Sequence, residues 1–537
     1  MKMRIHQLFC LLLAAPVLAA APVPPQFLAS NDVAIILSQA LVRGNCFITN
    51  HWATNGVVAV VDREGFVLGA CSFRPNPSAL DLEDAITKAG TAAFLSSDQD
   101  AFTSRTAGYI VQQHFPPAIN NTANGPLVGV NFSSMSISDV NRFKDPHTFD
   151  PGAWGGGGTN GAPIGGPVAL SGLNGAPGGV PLYKAGQLVG GVGVTVRGRF
   201  PIPELADIQR TAGQTYDTNE DVSLAGQTGY APSAAIRAAG VLINGIRIPY
   251  VNSTTRTAKP VPLASLGFGA VVLPYEITNP PAVHYPQVTW GGVPGEIRQP
   301  VIADPLGQFT SNDVAGILTL SAQRAYITRA GIRLPIGQSA EVFITVVNNP
   351  NTDTNAIPVT PAVLGTFRVG RRGFTNDATI FSWDVAVQKA RTALYYSSDE
   401  HAYSVRAIGF MAQVHYPPGI GATQPGPLFS LQEKFSLLPA GVMNPLNGVL
   451  FTAGEALSAP APGLPNGITI FPGGFPLYRN GKLIGAIGVS GDGVDQDDLI
   501  AASGTVNFLA PAAIRSDQIM LRGTRLPYAK FPRNPSL

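Results

Sequence analysis

The segment that decides the fold is residues 476–489, PLYRNGKLIGAIGV, which reads as two short strands joined by Asn480-Gly481. Asn-Gly is a strong signal for a type I′ turn, because both central residues of that turn need a positive φ. The segment therefore predicts an antiparallel β-hairpin. In the first part of the chain, residues 178–194 read GGVPLYKAGQLVGGVGV and predict a second hairpin of the same kind, with Lys184-Ala185-Gly186 at its turn.

The hairpin belongs to a repeat that runs through the whole chain. Residues 94–119 read FLSSDQDAFTSRTAGYIVQQHFPPAI, and residues 395–420 read YYSSDEHAYSVRAIGFMAQVHYPPGI, at a constant offset of 301 positions. Because each copy is longer than about 200 residues, it can form a domain with its own core. The sequence predicts a signal peptide at 1–21, a first domain at 27–256, a Pro-rich linker at 257–308 and a second domain at 309–530.

Apolar periodicity outside the hairpin alternates between strands and helices. Residues 56–71 read as strand, turn and strand, and residues 80–95 place apolar side chains at helical spacing. Residues 381–394 are the counterpart of that helix in the second copy. This order predicts an α/β (α+β) fold of two tandem profilin/PAS-like domains, each an antiparallel sheet flanked by helices.

Composition excludes some classes of function. The 537 residues include 35 Lys+Arg and 33 Asp+Glu, a net charge of +2, with no basic run among aromatics, so we do not expect nucleic-acid binding. Lys2, Arg4 and the apolar run that follows are typical of a secretory signal peptide. We therefore predict export to the periplasm or the medium, and no transmembrane function.

Cysteine usage predicts one covalent link. Cys10 lies within the predicted signal peptide, which leaves Cys46 and Cys71 in the mature chain. An oxidising exported compartment would allow these two to form a disulfide, with two buried thiols as the alternative.

The residues around the second hairpin carry a resemblance. Gly473-Gly474-Phe475-Pro476-Leu477, the glycine-rich strand that follows the turn, and the acidic stretch Gln496-Asp497-Asp498 are similar to the signature of the GlcG/HbpS family. That family also includes the C-terminal domain of PduO-type corrinoid proteins. The first copy resembles it at residues 178–194 and in the helix segment KAGTAA at 88–93, but it inserts about two dozen residues before its acidic helix.

The resemblance implies a domain that binds haem or a related tetrapyrrole and forms oligomers, with a corrinoid or no cofactor as alternatives. Haem ligation needs an imidazole, phenolate or sulfur ligand beside an apolar pocket. His114 and His415 recur in equivalent positions and are the candidate axial ligands; the alternative is that they cap a helix C-terminus. The haem would then lie between the KAxTA-type helix and the hairpin. Further candidate contacts at the hairpin are Tyr183, Tyr478, Gly179 and Gly474, with core packing as the alternative.

Charged residues that recur in both copies have two interpretations each. Arg105 and Arg406 could bind a haem propionate, or form salt bridges to Asp98 and Asp399. The acidic helices offer Glu220, Asp495 and Asp498 as metal ligands, or as side chains that interact favourably with the helix dipole.

Three classes of function follow from these observations. The first is an exported haem- or tetrapyrrole-binding protein for scavenging, sensing or handling haem. The second is an enzyme acting on haem or a small metabolite, although no nucleophile–base pair recurs clearly in both copies. The third is a structural or assembly module without a cofactor, in which the duplicated domain mimics a homodimer.

Overall fold

The computed structural model describes most of the two predicted domains. The described ranges are 26–49, 53–63, 67–74, 79–130, 173–198, 216–266, 287–352, 358–370, 381–429 and 463–530, without residues 113, 118, 120, 129, 332, 333, 335–337, 414 and 465. The predicted signal peptide and Cys10 lie outside these residues. Among the described helices, none is both long and apolar enough to cross a bilayer.

The first half, residues 26–266, is built on a four-stranded antiparallel sheet. Its strands are β1 (Ala53–Asp62), β2 (Val67–Ser72), β3 (Gly179–Lys184) and β4 (Gln187–Gly198), in the order β2-β1-β4-β3. Helix α2 (Ala79–Leu95) covers one face of the sheet, and α1 (Ser30–Thr49) and α4 (Thr218–Gly226) pack on the other. The short helix α3 (Ser104–Ile110) and the two-residue strands β5 (Leu242–Ile243) and β6 (Ile246–Arg247) complete this half.

Alternation along β1 explains the three-layer arrangement. Val57, Ala59 and Val61 pack with the apolar face of α2, whereas Val58 and Val60 pack with α1. Successive side chains of a strand point to opposite faces, so a strand that is apolar at every position must be covered on both sides.

The second half, residues 287–530, repeats this arrangement and extends the sheet. Its strands follow the order β11-β12-β9-β10-β8-β7, all antiparallel. Their bounds are β7 (Gln287–Trp290), β8 (Val293–Gln299), β9 (Phe343–Asn348), β10 (Val363–Val369), β11 (Gly474–Arg479) and β12 (Lys482–Ser490). The helices are α5 (Ser311–Ile327), α6 (Phe381–Tyr395), α7 (Val405–Met411) and α8 (Val494–Gly504), and a small hairpin of β13 (Met520–Leu521) and β14 (Thr524–Arg525) follows.

The α+β prediction and the predicted hairpins are therefore confirmed. Asn480 and Gly481 have φ values of 51° and 77°, as a type I′ turn requires. Ala185 and Gly186 adopt the same conformation, with φ values of 50° and 81°, so the first copy places an alanine in the left-handed region.

Part of the predicted linker forms two β-strands. Residues 287–299, which the sequence analysis assigned to the linker, form β7 and β8 at the edge of the second sheet. Proline density is a poor guide here, because Pro294 is on the edge hairpin, where it opposes Thr289. This part of the proline-rich segment belongs to the second half.

The two halves contact each other through an apolar cluster. Val385 and Phe471 of the second half are buried together with Phe102, Leu127 and Leu173 of the first half. Near this cluster, the backbone N–H of Gly421 donates to Asn121 Oδ1 at 2.9 Å. The rings of the equivalent residues His114 and His415 also contact each other. Equivalent loops of the two halves therefore contact each other.

Candidate functional site

The two candidate histidines face each other across the contact between the halves. Their ring centroids are 5.5 Å apart, with 36° between the ring planes. His114 Nδ1 lies 3.4 Å from the carbonyl oxygen of Thr122, and His415 Nδ1 lies 3.3 Å from that of Thr423. A carbonyl only accepts, so this contact is a hydrogen bond when Nδ1 carries a proton, and the neutral tautomer with its proton on Nδ1 has a lone pair on Nε2.

The alternative role of these histidines, capping a helix C-terminus, is wrong. The carbonyls to which they bind belong to loops eight residues further along the chain. The carbonyls of Gly108 in α3 and Gly409 in α7 accept from the side chains of Gln112 and Gln413 instead. Both glutamines lie four residues after their acceptors, which is the spacing of one helical turn.

The two recurring arginines bind the acidic helices. Arg105 Nε lies 2.5 Å from Glu220 Oε1, and Arg406 lies 2.8 Å from both Asp498 and Asp495. Burial raises the pKa of Glu220 and of Asp498 above their usual range despite the adjacent guanidinium groups.

The salt bridges predicted to Asp98 and Asp399 are therefore wrong. Each of these aspartates caps the start of the strand that follows the hairpin turn: Asp98 accepts from Leu188 N at 2.8 Å, and Asp399 accepts from Leu483 N at 2.9 Å. The candidate metal ligands Glu220, Asp495 and Asp498 are the carboxylates that the two arginines hold.

The tyrosines and glycines of the hairpins are packing residues. Tyr183 Oη donates to Ser97 O at 2.6 Å and Tyr478 Oη donates to Ser398 O at 2.7 Å, and both rings are buried. A side chain at Gly179 would collide with the backbone of Lys88 in α2, and one at Gly474 would lie 2.5 Å from the carbonyl oxygen of Lys389 in α6. Helix and hairpin are in direct contact, so the predicted haem position between them is wrong.

The sequence analysis did not identify a buried, ion-paired lysine in each copy. Lys389 Nζ lies 2.8 Å from both Asp497 Oδ2 and Val489 O, and 4.6 Å from the centroid of the Phe471 ring. Burial lowers the pKa of this amine. The signal was present, because Lys88 and Lys389 recur at the offset of 301 in equivalent helices.

Asp497 and Phe471 also line a cleft of about 60 Å³ between the two halves, here called the interdomain cleft. Its lining is mainly apolar, and three of its side chains are phenylalanines. The lining residues are Phe94, Leu95, Phe102, Leu127, Val130, Leu173, Ser382, Phe471, Ser490, Gly491, Asp492, Gly493, Val494 and Asp497.

The interdomain cleft is lined by none of the predicted site residues. The histidine pair lies elsewhere on the contact between the halves, and no His, Tyr, Cys or Met occurs among the described lining residues. The apolar walls suit the edge of a planar ring, but the described lining supplies no axial ligand for haem iron. A volume of about 60 Å³ is also below the roughly 300 Å³ at which small-molecule pockets begin, so the cleft admits an edge of such a ring.

The predicted disulfide is wrong. Cys46 and Cys71 are free thiols, the first exposed on α1 and the second buried in β2. Cys71 packs in the core between the sheet and α1, whereas Cys46 lies on the outer side of that helix. Burial raises the pKa of the Cys71 thiol to about 11.

One region of the chain matches a known protein family. Residues 372–505, about a quarter of the chain, match the family model described as "Haem degrading protein HbpS-like". The resemblance predicted for the second copy is thus supported, and for the first copy it stays a prediction. A protein of Citrobacter freundii, described as "Uncharacterized 15.0 kDa protein in dhaT-dhaS intergenic region", is 62% identical over 34 residues, which cover 6% of this chain and 24% of that protein.

Two solved structures are similar to parts of the chain. A crystal structure of a PduOC:haem complex is 20% identical, covers 37% of this chain and 95% of its own, and has a TM-score of 0.22. The Klebsiella pneumoniae protein ORFY, of the family model DUF336, is 20% identical, covers 38% of this chain and 91% of its own, and has a TM-score of 0.21.

Proposed function

We propose that this protein binds a tetrapyrrole, with haem as the first candidate, at the interdomain cleft. The observation that carries the proposal is the family match at residues 372–505, because every second-half residue that lines the cleft lies within that range. The ligand class comes from this match to a haem-degrading family. The position of the site comes from the phenylalanine walls of the cleft.

The contacts of the cleft suit the apolar edge of a porphyrin rather than its iron. Phe94, Phe102 and Phe471 supply aromatic contacts for the edge of a planar conjugated ring, because all three are buried and the cleft of about 60 Å³ admits no more than that edge. Because the described lining contains no His, Cys, Met or Tyr, the residues that usually ligate haem iron, the proposal assigns no iron chemistry to this site. It predicts binding through apolar contact.

Titration with two porphyrins tests this function. We expect haem and iron-free protoporphyrin IX to bind the tag-free protein with affinities within about threefold of each other, since the cleft contacts the ring and not the metal. Phe471→Ala should weaken both by roughly tenfold, the loss of one aromatic contact of about 1.4 kcal/mol. Val494→Trp, which fills the cleft, should weaken both as well.

The double variant His114→Ala/His415→Ala is the matched control and should leave both affinities unchanged. Loss of haem binding in this control would move the site to the histidine pair. Absence of binding by either porphyrin would overturn the proposal and favour the assembly module, whose supporting observation is the contact between equivalent loops of the two halves. Thermal melts of each variant separate a lost contact from a lost fold.

We also propose that the protein acts outside the cytoplasm, because residues 1–21 have the composition of a signal peptide. N-terminal sequencing of protein recovered from the periplasm or the medium tests this proposal. A mature chain that begins near residue 22 is expected, and retention of Met1 would contradict it.

A further inference from the structure

We infer that His114 and His415 form a binding site for a first-row transition metal ion such as Cu²⁺ or Zn²⁺ that bridges the two halves. This site is separate from the interdomain cleft, and the inference does not depend on tetrapyrrole binding. Neither histidine is among the residues that line the cleft.

The separation of the two rings suits a shared ion. A metal–nitrogen bond of about 2.0–2.1 Å places the centroid of a coordinated imidazole about 3.2 Å from the metal. Two such ligands at a tetrahedral angle have centroids about 5 Å apart. The observed distance between the centroids is 5.5 Å.

The hydrogen bonds of the pair are those of metal-binding histidines. In protein metal sites, the ring nitrogen that does not bind the metal usually donates to a carbonyl or carboxylate, which sets the tautomer and the ring orientation. Thr122 O and Thr423 O have this role here. The other nitrogen of His114, Nε2, is buried and has no hydrogen-bond partner among the described residues.

A nearby side-chain oxygen also supports a cation site in this region. Asn124 follows Thr122 by two residues, and its Oδ1 is buried without a described hydrogen-bond partner. This oxygen lies 3.7 Å from the position that a Cβ on Gly419 would take, so it faces the second half in the same region. An amide oxygen left unpaired at a buried position is costly, and a cation or its bound water would satisfy it.

The chemistry of the donors selects the class of ion. Imidazole nitrogen suits Cu²⁺, Zn²⁺ and Ni²⁺, whereas Ca²⁺ and Mg²⁺ prefer oxygen ligands. Among the described residues, no group of three or more His, Cys, Asp or Glu side chains is placed to share an ion. The two imidazoles would therefore be the principal protein ligands, and water would complete the coordination.

Copper titration of the tag-free full chain tests the inference. We expect one equivalent of Cu²⁺ to bind with an electron paramagnetic resonance spectrum that shows coupling to two nitrogens. His114→Asn and His415→Asn should each lower the affinity by more than about tenfold and leave one coupled nitrogen. Asparagine keeps a donor toward the loop carbonyl while it removes Nε2, which favours folding of the variants.

The matched control is His401→Asn, because His401 is an exposed histidine near Tyr403 that is not part of the pair. Its copper affinity and spectrum should equal those of the wild type. Binding of copper by the double variant His114→Asn/His415→Asn with the wild-type affinity and spectrum would overturn the inference. Failure of Cu²⁺ or Zn²⁺ to bind the wild type would overturn it as well, whatever the outcome of the porphyrin titrations.

Discussion

The buried lysine occupies equivalent positions in the two copies, but its counter-ion comes from a different element in each. Lys88 pairs with Asp84, one turn earlier on the same helix, and Lys389 pairs with Asp497 on the opposite acidic helix. A buried ammonium needs a compensating charge, and these two positions supply it from different elements. Only the second copy therefore presents a carboxylate of this pair to the interdomain cleft.

The buried ion pair between Arg105 and Glu220 allows a first prediction. Arg105→Ala should lower the free energy of unfolding by about 3–5 kcal/mol, because it leaves the Glu220 carboxylate buried without its guanidinium. Urea denaturation at pH 7 measures this change. The double variant Arg105→Leu/Glu220→Leu should lose less, since it removes both charges. Lys482→Ala, at the exposed pair with Asp399, is the control and should lower the free energy of unfolding by far less than Arg105→Ala does.

Asp100 predicts a pH dependence of stability. Burial raises the pKa of its carboxyl from 3.8 to about 6. A group whose pKa is higher in the folded state contributes stability that is present below pH 3.8 and is lost as the pH rises through about 6. Asp100→Asn should therefore raise the free energy of unfolding at pH 8, by on the order of 1 kcal/mol after allowance for partial exposure, and change nothing near pH 3.5.

Asp399→Asn is the control, because the pKa of Asp399 is shifted in the opposite direction from that of Asp100. The hydrogen bond from Lys482 lowers the pKa of Asp399, so its contribution is present at neutral pH and is lost as the pH falls below its usual range. This variant should be less stable than the wild type at pH 8. A stability difference for Asp100→Asn that is the same at both pH values would contradict the assignment.

At the scale of elements, glycines in the central strand set the distance between helix and sheet. A Cβ on Gly193 of β4 would collide with the Ala85 carbonyl and lie 2.5 Å from Ala89 N, both in α2. Gly488 of β12 has the same relation to α6, with Ala390 N at 2.6 Å. The glycine-rich pattern of both hairpins thus serves close packing of helix on strand.

This packing predicts the effect of adding one methyl group. Gly193→Ala should lower the free energy of unfolding by about 1–3 kcal/mol or more, because backbone atoms of α2 cannot move aside as a flexible side chain could. Chemical denaturation measures the loss. Gly316→Ala is the control, since a Cβ there in α5 meets nothing within 4 Å and should add up to about 1 kcal/mol through helix propensity. Equal effects of the two substitutions would contradict the close approach.

At the scale of the whole molecule, the halves share buried apolar surface. The cluster that contains Val385 and Phe471 draws most of its members from the first half. A protease site placed between residues 267 and 286 should therefore give two fragments that co-elute in size-exclusion chromatography. Phe471→Ala should weaken this association. Separation of the wild-type fragments as independent monomers would show that the contact is too weak to hold the halves together.

Much of the fold was predictable because it depends on neighbours in the chain. The type I′ turn at Asn480-Gly481 follows from backbone sterics at two residues, and α2 and α6 follow from apolar spacing. The duplication was also visible, and it identified His114 and His415 as equivalent positions. These features need no information about distant contacts.

Only the tertiary structure decided which side chains meet. Arg105 binds Glu220, which is 115 positions away in the chain, and β7 and β8 join the second sheet. Such contacts are set by packing and strand register, which a local sequence pattern does not contain. The free cysteines follow from the same cause, since Cys46 and Cys71 lie on different faces of packed elements. The pairing of His114 with His415 needs the two halves to dock with their equivalent loops in contact. That geometry depends on the shape of both surfaces. A sequence repeat shows that two residues are equivalent, but it does not show that they lie close together.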